Sequence, residues 1–218
     1  MNWYSIISCD NTVQNPFVAD LGDLGPHEEF QLRSCAEIRD WPGAAWVRAS
    51  DCVHDGDPDD VLQTLLDLPI YSARLQSAIE AAHIGGIQFL PLRVLRPSGT
   101  EVEGYCIANI LNCVRALDLH RSDFDRFPND YFLPQRRGQI RALRKAVLER
   151  DALSGHDIIR LSEYKVAVYV SQHFVNAFEE DGFSGYSFRR VATSGHEDVV
   201  SNVGADNRDL GCREKNPR

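Results

Sequence analysis

Reactive side chains crowd most closely around Cys52 and His54, where a thiol and an imidazole two residues apart sit among Asp51, Asp55, Asp57, Asp59 and Asp60. Thiolate, imidazole and carboxylate are all metal ligands, and Asp55, Asp57 and Asp59 alternate as the carboxylates that open a calcium loop do. Such a loop needs glycine at its sixth place and a bidentate glutamate at its twelfth. Those places hold Asp60 and Leu66. The pattern is incomplete, so the segment reads as a solvated acidic loop, and no metal or other cofactor is expected. Residues 59–66 then read as a short helix, with acids at its positive end and apolar side chains at Val61, Leu62, Leu65 and Leu66.

The remaining reactive groups form no familiar catalytic set. His83 falls at the end of one helical pattern, His173 in the first turn of another, and His120 after an apolar run. None has a Cys or Ser at a recognisable nucleophile–base spacing. The sequence has no GxxxxGK[ST], GxGxxG, GxSxG, HExxH or CxxC. A basic group, Arg136, Arg137, Arg141, Arg144 and Lys145, could touch phosphates. The charge distribution opposes that use. Residues 1–67 hold thirteen acids and three arginines, a net of −10, whereas the rest of the chain is near neutral. Such a segment repels nucleic acid and attracts a basic partner, although it also serves solubility.

The reactive residues must be held by a fold of ordinary globular composition, 43% hydrophobic and 25% charged. No apolar run approaches the roughly 20 residues that span a bilayer, and residues 1–9 lack the basic start of a signal peptide. The expectation is a soluble cytoplasmic protein with no membrane partner, whose six cysteines are reduced and form no disulfide. Residues 3–9 read as a first strand. The density of Asn, Gly and Pro in residues 11–26 reads as turns rather than regular structure.

From residue 68 the pattern sharpens. Ser72 caps a helix with Leu75, Ala78, Ile79 and Ala82 on one face, Gly85 and Gly86 stop it, and Ile87 opens a strand. Strands are expected over residues 105–111, 114–119, 157–161 and 166–170. Residues 140–150 suit either helix or strand. A second capped helix begins after Ser171, followed by Gly182, Gly185 and a strand from Tyr186. Shifted by 99 residues, Ser72 falls on Ser171, Leu75 on Phe174, Ala78 on Ala177, Glu80 on Glu179, Gly86 on Gly185 and Phe89 on Phe188. The expected fold class is α+β, a mainly antiparallel sheet with two similar helix–Gly–strand units as an internal repeat. Leu75, Ile79, Phe89, Phe174, Phe178 and Phe188 should be buried at matching positions. Residues 1–67 are expected to form an acidic segment packed on a core of 68–191, and 192–218 a disordered tail.

These features resemble a known family. The Ser-capped helix with Gly-x-x-Phe and a strand occurs twice, with Tyr105 to Val114, Ala116-Leu117-Asp118-Leu119 and Ile158-Ile159-Arg160-Leu161 between the copies. The pattern over residues 68–191 is similar to the eleventh catalogued family of immunity proteins from bacterial polymorphic-toxin systems. The resemblance implies a non-enzymatic protein encoded beside a secreted toxin, often a nuclease, which it binds and neutralises. It carries no active site across and does not name the toxin. From charge, the expected contact residues are Asp51, Asp55, Asp57, Asp59 and Asp60, with Trp41 and Trp46 as aromatic anchors. The competing readings are an enzyme whose site is assembled from distant residues and a scaffolding module.

Overall fold

The computed structural model describes residues 1–8, 17–27, 29–49, 59–64 and 68–195. Along the chain come β1 (Trp3–Ser8), β2 (Phe17–Asp23), a one-turn helix α1 (Glu29–Leu32), β3 (Trp46–Ala49), β4 (Val61–Thr64) and β5 (Ile70–Ser72). Helix α2 (Ala73–Ala81) leads into β6 (Ile87–Leu95), β7 (Glu101–Ile110) and β8 (Cys113–Val114). Then follow β9 (Asp123–Arg126), β10 (Ile140–Lys145), β11 (Val147–Glu149), β12 (Ile158–Leu161), β13 (Val168–Ser171), α3 (Gln172–Glu180) and β14 (Tyr186–Ser194). The class is α+β and mostly strand, as the sequence indicated.

The strands make two main bodies. One is a closed six-stranded barrel in the order β2-β3-β6-β7-β5-β4, and the other an open sheet in the order β11-β14-β1-β13-β12-β8. Strands β9 and β10 pair only with each other. Leu62, Ile70, Leu90, Leu92, Val94 and Ile107 belong to the core of the barrel. A second core, with Leu75 and Ile79 of α2, Phe174 and Phe178 of α3, and Phe188 of β14, joins the barrel to the sheet through the two helices. A third, around Trp3, Leu148, Ile159, Leu161 and Tyr169, packs elsewhere on the open sheet. Strands β12 and β13 are buried at every position, which is why branched and aromatic residues fill them apart from Arg160 and Ser171. No helix among the described residues is long and apolar enough to cross a membrane.

The two helix–strand units have the same secondary structure at the 99-residue offset: α2 and α3 each have nine residues, as do β6 and β14. In each unit the strand before the helix and the strand after it flank a third, antiparallel one. Ser72 pairs with Tyr105, which pairs with Leu92. Ser171 pairs with Trp3, which pairs with Val191. The central strand has different origins, β7 following its unit and β1 preceding its own by most of the chain. Of the residues expected inside, Leu75, Ile79, Phe174, Phe178 and Phe188 are buried, while Phe89 is half-buried against the core.

Both helices are capped as their sequences predict. The Ser72 hydroxyl accepts from the amide of Leu75, and that of Ser171 from His173 and Phe174. Ser171 is fully buried and also donates to Asp157 Oδ1 at 2.5 Å. Replacing it with alanine strands a carboxylate oxygen and two amides, so Ser171→Ala is expected to cost about 1–2 kcal/mol in urea unfolding.

Four local expectations are corrected. Residues 61–64 form strand β4 and not a helix: Val61 and Leu62 are adjacent and both buried, one in the helix-bearing core and the other in the barrel core. Neighbouring apolar residues in a strand buried on both faces imitate a helical stripe. Strand β2 lies inside the segment read as turns, its pairing with β3 interrupted by two register shifts. Within 114–119, only Val114 belongs to a strand, and Leu117 makes an isolated bridge to Leu148. Ala192, Thr193 and Ser194, placed in the tail by their polarity, pair in parallel with Val147, Leu148 and Glu149, because ladder bonds use the main chain. Residues 196–218 lie outside the described residues, as do Asp51, Cys52, His54, Asp55 and Asp57. The ambiguous residues 140–150 resolve into β10 and β11.

Candidate partner interface

Trp41 and Trp46 are both half-buried, and both adjoin β6 of the barrel. The Trp41 indole Nε1 donates to the Pro91 carbonyl at 2.8 Å, and its ring stacks on His27 with centroids 5.5 Å apart. Trp46 pairs in register with Arg93, and Arg48 lies over its ring at 5.6 Å from the centroid. Its ring is packed so closely over Gly22 that a Cβ there would stand 2.5 Å from a ring carbon. Pro91 and Arg93 are exposed and alternate with buried Leu90, Leu92 and Val94, so the two tryptophans border the outward face of β6. On that face Arg93 is paired with Glu101 at 2.7 Å.

Of the acidic residues, Asp59 and Asp60 are described and do different things. Asp59 is half-buried, and its carbonyl accepts from the Tyr105 hydroxyl at 2.7 Å. Asp60 serves the fold. Its Oδ1 accepts from the Ser72 hydroxyl at 2.9 Å and Arg74 Nε at 3.2 Å. Its Oδ2 accepts from Arg74 Nη2 at 2.7 Å and the Ser184 amide at 3.1 Å. The same backbone is tied again, with Ser72 N donating to the Asp60 carbonyl and Val61 N to that of Ser184. Arg74 also donates to the Asp181 carbonyl and lies 4.2 Å from the Phe183 ring centroid. Asp60 therefore fastens α2 and the barrel to the turn between α3 and β14. Burial alone would raise its pKa, but the bonds from Arg74, Ser184 and Ser72 outweigh it and hold the carboxyl below the usual value. Sequence reasoning missed this role, since Ser184 lies 124 residues away.

The histidines make local contacts. His83 takes a left-handed conformation at the end of α2, His120 donates its amide to Asp118, and His173 Nδ1 lies 3.3 Å from Asp157. Among the described residues no group of three or more His, Cys, Asp or Glu could hold a metal ion. Cys35, Cys106 and Cys113 are free thiols, and burial pushes Cys106 up to about 12. The buried Arg160 donates to the carbonyls of Lys165 and Val166 at 2.7 and 2.8 Å, closing the loop between β12 and β13. These groups therefore support turns, caps and loops.

Two features stand out on the described surface: the tryptophan-bordered face of the barrel and the paired strands β9 and β10. No curated protein matches this sequence. The sequence does match the Immunity protein family (Imm11) over residues 26–193, which takes in every element from α1 to α3 and nearly all of β14, and the chain belongs to that family.

Proposed function

We propose that this protein binds a cognate secreted bacterial toxin in the cytoplasm of the producing cell and neutralises it by covering its surface. The observation that carries this reading is the family match over residues 26–193. The contact surface we favour is the outward barrel face bordered by Trp41 and Trp46, together with Asp51, Asp55, Asp57 and Asp59. Half-buried tryptophans already held in place, Trp41 by its bond to Pro91 and Trp46 by its packing over Gly22, lose little entropy on docking, which suits them to be binding anchors. The carboxylates suit a basic partner, and a nuclease, which must hold phosphates, is a toxin of that kind. Asp60 is left out of this surface, since its carboxylate is taken up by Ser72, Arg74 and Ser184.

The test is association with the purified product of the adjoining toxin reading frame. Changing Asp51, Asp55, Asp57 and Asp59 together to Asn is expected to slow association about tenfold at low ionic strength, and much less at 0.5 M salt. An unchanged rate at low salt would remove the acidic segment from the interface. Failure of the unaltered protein to bind would overturn the reading as a whole.

A further inference from the structure

Strands β9 and β10 make a two-stranded arm that belongs to neither main body. Its base is seated by Phe124, Ile140 and Leu143 in the third core. Bonds from Phe127 N to the Gln139 carbonyl and from Gly138 N to the Phe127 carbonyl prolong the ladder beyond the strands. The tip between them is internally fastened. Tyr131 N donates to Pro128, Arg136 N to Leu133, Arg137 N to Pro134, and Gln139 N to Arg136. Side chains add to this: Arg137 Nε donates to the Tyr131 carbonyl at 2.8 Å and Arg126 Nη1 to that of Gly138 at 2.6 Å. Three aromatic rings run outward through the tip. Phe127 packs on Tyr131 with centroids 4.6 Å apart, and Tyr131 on Phe132 at 4.5 Å. The last ring, Phe132, is 74% exposed, the most exposed large hydrophobic side chain among the described residues.

A fastened tip that presents an aromatic ring to water offers apolar area that a partner gains by burying. Tyr, Phe and Arg are the residue types that protein interfaces favour. The charge indicates the kind of cover. Residues 121–145 carry seven Arg or Lys and three Asp, opposite in sign to the acidic segment. Two of those acids are already engaged. Arg144 holds both Asp123 and Asp125, and Arg141 lies 3.6 Å from Asp125. At the tip, Arg136 lies 5.7 Å from the Phe127 ring centroid, and neither it nor Arg137 has an ion-pair partner among the described residues. Arg137 is committed to the Tyr131 carbonyl, whereas Arg136 lies against Phe127, the ring at the inner end of the row that Phe132 ends. One such guanidinium and one exposed ring suit an apolar pocket with a carboxylate at its rim better than a track of phosphates, which needs several uncommitted cations.

We infer that the arm is a second toxin-binding element, inserting Phe132 into an apolar pocket of the toxin whose rim carries an acid facing Arg136. The inference rests on the reading of this protein as a toxin-binding immunity protein. The experiment uses the full chain and the purified product of the adjoining toxin reading frame, with Kd measured by calorimetry. Phe132→Ala is expected to weaken binding at least tenfold and Arg136→Ala about fivefold, the latter loss shrinking in 0.5 M salt, while Phe132→Tyr retains most of the affinity. The melting temperature should stay within about 2 °C in each variant, because Phe132 and Arg136 are both exposed. Kd values within twofold of the unaltered protein for both alanine variants would overturn the arm and leave the proposed function standing. No binding by the unaltered protein would overturn both. A labelled 20-nucleotide duplex, or a second copy seen in sedimentation, that binds the unaltered chain and is released by Phe132→Ala would overturn the assignment to a protein pocket.

Discussion

Asp60→Ala is expected to lower stability by about 3 kcal/mol at pH 7. The carboxylate has a side-chain exposure of 13%, and deleting it leaves the Ser72 hydroxyl, the Ser184 amide and the Arg74 guanidinium without their shared acceptor. Removing one partner of a buried pair costs about 3–5 kcal/mol; the half-exposed Arg74 places this case at the lower end. The same carboxyl gives a signature in pH. Its folded pKa is depressed, so the stability it contributes is fully present above the unfolded carboxylate value. That stability is lost as pH falls from the ordinary carboxylate value through the lower folded one. Urea unfolding between pH 3 and pH 7 should therefore show a shallower acid loss in Asp60→Asn than in the unaltered protein. Equal slopes would mean that the junction does not depend on the ionised group.

The second large effect is expected at Phe178, which is 3% exposed on α3. Its ring meets Phe188 edge-on at 5.3 Å, stacks on Tyr186 at 5.8 Å and packs on Phe183 at 5.6 Å. Phe178→Ala removes the hub of this group and leaves a cavity that three other aromatic rings cannot all close, at a cost of about 3–5 kcal/mol. In a chain of this length that corresponds to a fall in melting temperature of about 10 °C, measurable by calorimetry. Phe178→Leu should recover about half of the loss. A fall of less than 3 °C in Phe178→Ala would mean that the helix α3 core repacks freely.

What could be read from the sequence was what is decided locally. Helices α2 and α3 were legible because Ser72 and Ser171 cap them from the adjacent residue and because Leu75, Ile79, Phe174 and Phe178 recur at helical spacing. Strand β4 was not, because its alternation is hidden when Val61 and Leu62 are both buried, on opposite faces. The duty of Asp60 was illegible for another reason: nothing near it in the sequence announces Ser184, and a carboxylate in an acidic run looks like its solvated neighbours. The arm was half visible. Its basic cluster stood out, but the pairing of Arg144 with Asp123 and Asp125 appears only when β9 and β10 are set side by side. Phe132 was not legible at all, because exposure of a single ring is a property of the fold.

The placement of β1 has a consequence for synthesis. The barrel uses only residues up to 110 and can close early on the nascent chain. Strand β1 cannot be completed then, because both its neighbours, β13 and β14, lie more than 160 residues later. At translation rates of about 5–20 residues per second, this N-terminal strand waits about 8–30 s with both edges unpaired. The ribosome must deliver nearly the whole described chain before the open sheet forms, and such distant pairing is intrinsically slow. A cell that relies on this protein therefore gains by making it ahead of its partner, and chains cut short before β14 should be the ones that chaperones and proteases collect.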